Sequence, residues 1–218
     1  LTFVSALVLF QPDLSTALLI ALIGFFMIFS LYSSPKVVFI VAILSTLTLA
    51  YQIWKTPYRL RRVVAFLNPA DHQLSSGYQL IQSKISLGSG GFIGLGLGQS
   101  RQKYLYLPEE HTDFIFAILG EEFGFLGSFL IILGFSIFLF RGIRIALRAP
   151  DYTGKLLAYG VTGYITIQVL LNLMVVAGLA PPTGLPLPFL SYGGNAMITN
   201  LLGVGILLNI SRYVDSSR

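Results

Sequence analysis

Cysteine is absent from the 218 residues, charge is scarce at 11%, and the acidic residues number nine against fourteen Lys and Arg. Without Cys, neither a disulfide framework nor a thiol nucleophile is available. Soluble domains carry roughly 25% charged residues. A chain this poor in charge, 55% hydrophobic and with a mean hydropathy of +0.78, is an integral membrane protein. No internal repeat, low-complexity tract, separate soluble domain or signal-peptide pattern is visible, and 1–218 reads as a single integral membrane domain. The basic residues are scattered around apolar runs and form no basic domain, which argues against a nucleic-acid partner. Their net charge of +5 instead suits anionic headgroups or a phosphate-bearing ligand.

The apolar runs set the architecture. Leu1 to Phe10 is too short to cross hydrocarbon, which needs about 20 residues. It reads as the tail of a helix, and the sequence as a fragment. Gln11-Pro12-Asp13 follows, then runs from Leu14 to Tyr32, Val37 to Trp54, roughly Phe123 to Phe140, Leu156 to Leu179, and Ala196 to Ile210. The reading is all-α, a polytopic helix bundle of five spans plus a partial helix. Only helices and closed barrels satisfy the backbone in lipid, and the alternating strands of a barrel are not seen. Between the second and third runs lies a polar region, 55–111, too charged to cross. Arg141, Arg144, Arg148 and Lys155 make a short basic loop opposed only by Asp151, which places that loop in the cytoplasm and the 55–111 loop outside. Lys55, Arg59, Arg61 and Arg62 then lie on the outer side, against the positive-inside trend. They are assigned a ligand instead.

The chemistry-bearing stretch is YLYLPEEHTDFIFAILGEEFGFLGS, Tyr104 to Ser128. Ionisable groups near hydrocarbon need a partner, a water-filled cavity or a function. A helix from Pro108 onward puts Asp113, Ala117, Gly120, Gly124, Gly127 and Ser128 in one arc. Phe114, Ile115, Leu119, Phe123, Phe125 and Leu126 cover the other sides. The small face suits close helix approach, so Asp113 points into protein. Counting back from Phe123 at 1.5 Å per residue places it roughly 15 Å beyond the start of the span.

YRLRRVVAFLNP, Tyr58 to Pro69, reads either as an interfacial helix with snorkelling Arg side chains or as a diphosphate clamp built on guanidinium forks. GSGGFIGLGLGQSRQK, Gly88 to Lys103, is not a dinucleotide fingerprint, because no sheet surrounds it. Its glycines permit tight turns and close backbone approach. Its amides could also cradle an anion, with Arg101 and Lys103 beside them. His111 and Asp113 make no recognisable metal set, although a lone carboxylate can hold Mg²⁺ together with a substrate phosphate. Glu121 and Glu122 are expected to pair with a basic residue on another helix. Gln168, Asn172, Asn200 and Asn209 are expected to bond between helices. Asp13 reads as structural, at the kink made by Pro12, and Ser191 opens SYGG, a broken entry to the last helix.

QPDLSTA, YRLRRVVAFLNP, GYQLIQSKISLGSGGFIGLGLGQSRQK, LPEEHTDFIFAILGEEFGFLG and PPTGLPLPFLSYGG occur in that order. Together they resemble the SEDS family (shape, elongation, division and sporulation proteins: FtsW, RodA and SpoVE), and the FtsW/SpoVE branch more than RodA. The chain departs from the family pattern at Ser15 and at Asn195-Ala196, in motifs read as structural. The resemblance implies the C-terminal half of a ten-helix fold in the bacterial cytoplasmic membrane, with the long loop outside. It implies a peptidoglycan glycosyltransferase polymerising lipid II, the disaccharide-pentapeptide on undecaprenyl diphosphate, during cell division or sporulation. A class B penicillin-binding transpeptidase and other division proteins are the implied partners. The family's essential Asp maps onto Asp113, either as general base or as ligand of a divalent cation, Mg²⁺ or Mn²⁺. Arg61, Arg62, Lys84, Arg101 and Lys103 are the candidates to hold the diphosphate, with His111, Glu121, Asp13 and Ser191 in supporting roles. Two rival readings are a lipid II flippase and a non-catalytic division scaffold.

Overall fold

The computed structural model describes residues 14–31, 54–69, 76–102 and 113–216, with Lys36, Phe39, Ile40, Ile43 and Leu47. All regular elements among these residues are helices: α1 (Leu14–Leu31), α2 (Pro57–Leu67), α3 (Ser76–Ser89), α4 (Ile115–Arg148), α5 (Tyr152–Val176) and α6 (Gly194–Ser216). Three of them, Ile115–Arg148, Tyr152–Val176 and Gly194–Val214, are long and apolar enough to cross a membrane, and Ser15–Ser30 is a shorter apolar helix. The expected partial helix 1–10 and most of the run from Val37 to Trp54 lie outside the described residues.

Two compact units partition the chain, one drawn from 1–52, 135–167 and 194–218 and the other from 53–134 and 168–193. In the first, small residues let helices meet closely. Ala146, Ala158, Tyr159, Leu207 and Ile210 form its buried core, with Phe26, Phe138 and Val161 packed against it. Phe26 meets Tyr159 edge-on at 6.3 Å between ring centroids, a favourable aromatic geometry. Asp151, the lone acid of the basic loop, starts α5 as an N-cap. Its Oδ2 accepts the Gly154 N–H at 2.7 Å, satisfying one of the donors that a helix start leaves open.

The second unit is built around irregular backbone. Pro57 opens α2, where a missing N–H is harmless, and α2 packs against α3. The span expected from Phe123 to Phe140 is part of a 34-residue helix, but Gly124 breaks it with φ 66° and ψ −161°. That conformation is open essentially to glycine alone. The ten residues counted from Phe123 back to Asp113 all precede this break, so their roughly 15 Å of rise does not run along the axis of the span. The roughly 24 residues after the break still extend about 36 Å, enough to cross about 30 Å of hydrocarbon. The α5 helix stops at Val176, short of the expected Leu179. Gly178 turns left-handed at φ 68°, and the Leu179 N–H reaches back to the Met174 carbonyl at 2.7 Å.

Candidate functional site

The chain after α5, APPTGLPLPFLS from Ala180 to Ser191, runs without regular structure. Its prolines remove backbone donors, so its carbonyls need partners from elsewhere. Two amide side chains on α5 supply them. Gln168 Nε2 donates to the Pro186 carbonyl at 2.8 Å. Asn172 Nδ2 donates to the Leu185 carbonyl at 2.8 Å and to the Asp113 carbonyl at 2.7 Å. Asn172 is almost fully buried, and this single amide ties the extended segment to the turn from which α4 rises. The expected helix-to-helix bonds of Gln168 and Asn172 are thus bonds to irregular backbone.

Asp113 is half-buried in that turn, just ahead of Ile115. The position that a Cβ on Gly184 would take lies 3.5 Å from Asp113 Oδ2, so the carboxylate faces the Pro-rich segment. Two expected cations meet the same segment. Arg62 Nη1 donates to the Pro182 carbonyl at 3.2 Å, and the Lys84 side chain packs across Gly178. Beneath Lys84, the buried Ser83 donates its hydroxyl to the Val176 carbonyl at 2.7 Å. Asp113, Arg62 and Lys84, drawn from three separate stretches of sequence, therefore converge on Gly178–Gly184. The side chain of Arg61 is exposed on α2, and it enters no contact that places it there. Ser191 closes a local turn: its Oγ accepts the Leu187 N–H at 2.6 Å, and its N–H donates to the Leu187 carbonyl at 3.0 Å. Lys103, His111 and Asp13 lie outside the described residues.

Glu121 departs from expectation. It is 1% exposed, and its partners are hydroxyls and an amide instead of a basic side chain. Ser100 Oγ donates to Oε2 at 2.6 Å and the Arg101 N–H to Oε1 at 3.3 Å, while the Ser86 hydroxyl lies 3.2 Å from Oε2 and 2.9 Å from the Ala117 carbonyl, sharing its one proton between them. A buried carboxylate is tolerable when hydrogen bonds replace water. Glu122 is also buried, and its Oε1 has no hydrogen-bond partner. The glycine-rich loop explains this arrangement. Its Leu95 and Gly96 N–H groups donate to the carbonyls of Glu121 and Glu122, and the Gly94 N–H donates to Gly90. Those three amides are committed to backbone and are not available to an anion. Arg101 is exposed and belongs to the Glu121 cluster, whereas Arg62 and Lys84 belong to the Asp113 cluster.

Among the described residues no group of three or more His, Cys, Asp or Glu could hold a metal ion. Among the described residues, protein donors alone therefore do not make a divalent-cation site; Glu109, Glu110 and His111, just ahead of Asp113, lie outside those residues. Sequence reasoning missed Ser83, Ser86 and Ser100. Their signal is position, since each is a hydroxyl on a buried helix or loop face.

These features define a multi-pass helical membrane protein with a broken helix and a half-buried carboxylate beside a Pro-rich extended segment. The chain belongs to the cell cycle protein family of FtsW, RodA and SpoVE, whose pattern it matches over residues 1–216. It is 56% identical over 161 residues to stage V sporulation protein E of Bacillus subtilis, covering 74% of this chain and 44% of that protein. It is 42% identical over 211 residues to the probable peptidoglycan glycosyltransferase FtsW of Geobacter metallireducens, covering 97% and 56%. Among solved structures it resembles a chain of a peptidoglycan synthase complex that coordinates polymerization and crosslinking. There the TM-score is 0.78 at 30% identity, covering 96% of this chain and 58% of that one. Thermus thermophilus RodA, a rod shape determining protein, gives 0.62 at 28% identity, covering 96% and 52%. The chain spans about half the length of the relatives it matches.

Proposed function

We propose that this chain carries the acceptor-activating centre of a peptidoglycan glycosyltransferase that polymerises lipid II at the outer face of the cytoplasmic membrane. The observation that carries the reading is the convergence of Asp113, Arg62 and Lys84 on Gly178–Gly184. Relatives named as glycosyltransferases and a neighbour in a peptidoglycan synthase complex support it.

The acceptor sugar hydroxyl gives its proton to the Asp113 carboxylate as its oxygen attacks the anomeric carbon of the donor. A new glycosidic bond forms, the bond from that carbon to the diphosphate breaks, and undecaprenyl diphosphate departs with the electron pair. Negative charge grows on the leaving diphosphate, so cations already in place stabilise the transition state. Arg62, whose Nη1 donates to the Pro182 carbonyl, brings a fixed positive charge to the phosphate oxygens. Lys84 adds an ammonium from the next helix. Asn172 fixes the Asp113 turn through its main-chain carbonyl, which holds the carboxylate beside Gly184.

In this reading 1–218 is one membrane domain, and the 55–111 region lies outside the cell beside the substrate. A class B transpeptidase that crosslinks the new strand, together with other division proteins, is the fitting partner set. The relatives carry both division and sporulation names, and the activity serves either process. The test is purified full-length protein in detergent supplied with lipid II. Polymer is expected. Absence of polymer, together with lipid II transport by the same protein in vesicles, would establish a flippase instead.

A further inference from the structure

The loop from Gly90 to Gly98 holds Phe92, Ile93, Leu95 and Leu97 among five glycines and carries no charge. These side chains are not folded inward: Phe92 is 67% exposed, Ile93 78% and Leu97 73%. Facing water, they would form an apolar patch with no purpose. The backbone, by contrast, is unusually well provided for. The N–H groups of Gly94, Leu95 and Gly96 donate to Gly90, Glu121 and Glu122, and the carbonyls of Gly91 and Phe92 accept from Phe125 and Leu126. Irregular backbone survives at membrane depth only where its polar groups are satisfied by protein. The loop meets that demand because Gly124 opens α4 and lets it dock.

The apolar surface is also continuous with a span. Phe92 stacks on Phe125 at 5.8 Å, and Phe125 stacks on Phe129 at 6.3 Å. Phe129 stands on α4, whose most apolar window is almost entirely unburied by protein. We propose that Gly90–Gly98 is a re-entrant wedge in the bilayer, with Phe92, Ile93, Leu95 and Leu97 seated among lipid acyl chains. The loop thereby fixes the depth of the short helical piece before Gly124. That last consequence, for Asp113, rests on the catalytic reading above; the lipid contact itself does not.

Residues 1–218 hold no Cys and one Trp, so site-specific probes are clean once any Cys elsewhere in the full-length protein is replaced by Ser. Ile93→Cys and Leu97→Cys, each spin-labelled in full-length protein in phosphatidylethanolamine–phosphatidylglycerol vesicles, report accessibility to oxygen and to a water-soluble nickel chelate. Both labels are expected to match one at Ile137 on α4, with an oxygen-to-nickel ratio several-fold above that at Thr153. A ratio equal to Thr153 means water. Exclusion of both reagents means a protein covers the loop. Either result overturns the proposal. If the label distorts the loop, Ile93→Trp in a background with Trp54 and any Trp outside residues 1–218 replaced by Phe serves instead. Quenching by acyl-brominated lipid is expected, and its absence overturns the proposal equally. Neither readout depends on polymerisation, so the wedge and the catalytic reading fail separately.

Discussion

Replacing Gly124 with Ala tests the coupling between the broken helix and the glycine loop. Gly124 sits at φ 66°, ψ −161°, where a residue with a side chain is strained by about 1–3 kcal/mol. Its new Cβ would also collide with the Gly94 nitrogen and stand 2.7 Å from the Ile93 carbonyl carbon. These are backbone atoms and cannot turn aside. The loop must lift, weakening four inter-segment backbone bonds, Leu95 to Glu121, Gly96 to Glu122, Phe125 to Gly91 and Leu126 to Phe92. Each such bond is worth about 0.5–1.5 kcal/mol net. Partial loss of the set brings the total to roughly 3–6 kcal/mol. Gly134 on the same helix is the control: a Cβ there meets nothing within 4 Å, so Gly134→Ala should stabilise by about 0.5–1 kcal/mol. Thermal unfolding of the purified protein, followed by fluorescence-detected size exclusion, separates the two. A fall of roughly 6–12 °C is expected for Gly124→Ala at the lower end of that range. If both variants melted together, the account of the break would be wrong.

Three further outcomes follow from the same geometry. Asn172→Leu leaves the Asp113 and Leu185 carbonyls without their donor and should destabilise by about 2–4 kcal/mol; polymerisation by the full-length protein should fall further than melting alone explains. Glu121→Leu removes the acceptor of the Ser100 hydroxyl and of the Arg101 N–H, while Ser86 keeps the Ala117 carbonyl; thermal melting should show it less stable than Glu121→Gln, which keeps one acceptor oxygen. Arg62→Gln removes a cation from the proposed diphosphate subsite, and steady-state polymerisation kinetics should show a kcat loss of roughly tenfold or more, about 1.4 kcal/mol of transition-state stabilisation.

Much of this was legible in the sequence because membrane helices announce themselves by length and hydropathy. Four of the five expected runs are helices among the described residues, with ends displaced by local features such as the Asp151 cap and the Gly178 turn. Asp113 stands out in the sequence because a carboxylate beside an apolar run is costly to keep. Its environment does not. A helical count cannot foresee that Gly124 breaks α4, nor that the loop filling the gap begins some thirty residues earlier, as roughly one α4 length of chain separates them. The same blindness gave Glu121 a basic partner in expectation and three neutral donors in fact. Gln168 and Asn172 advertised a hydrogen bond, but not the proline-interrupted carbonyls that receive it.

The central claim, a proton taken from the acceptor sugar by one carboxylate, is reached most directly through Asp113→Asn in the full-length protein. Binding of lipid II and formation of glycan strands should be measured on the same preparation. Binding should persist and strand formation should vanish. Strands made at the wild-type rate would contradict the assignment.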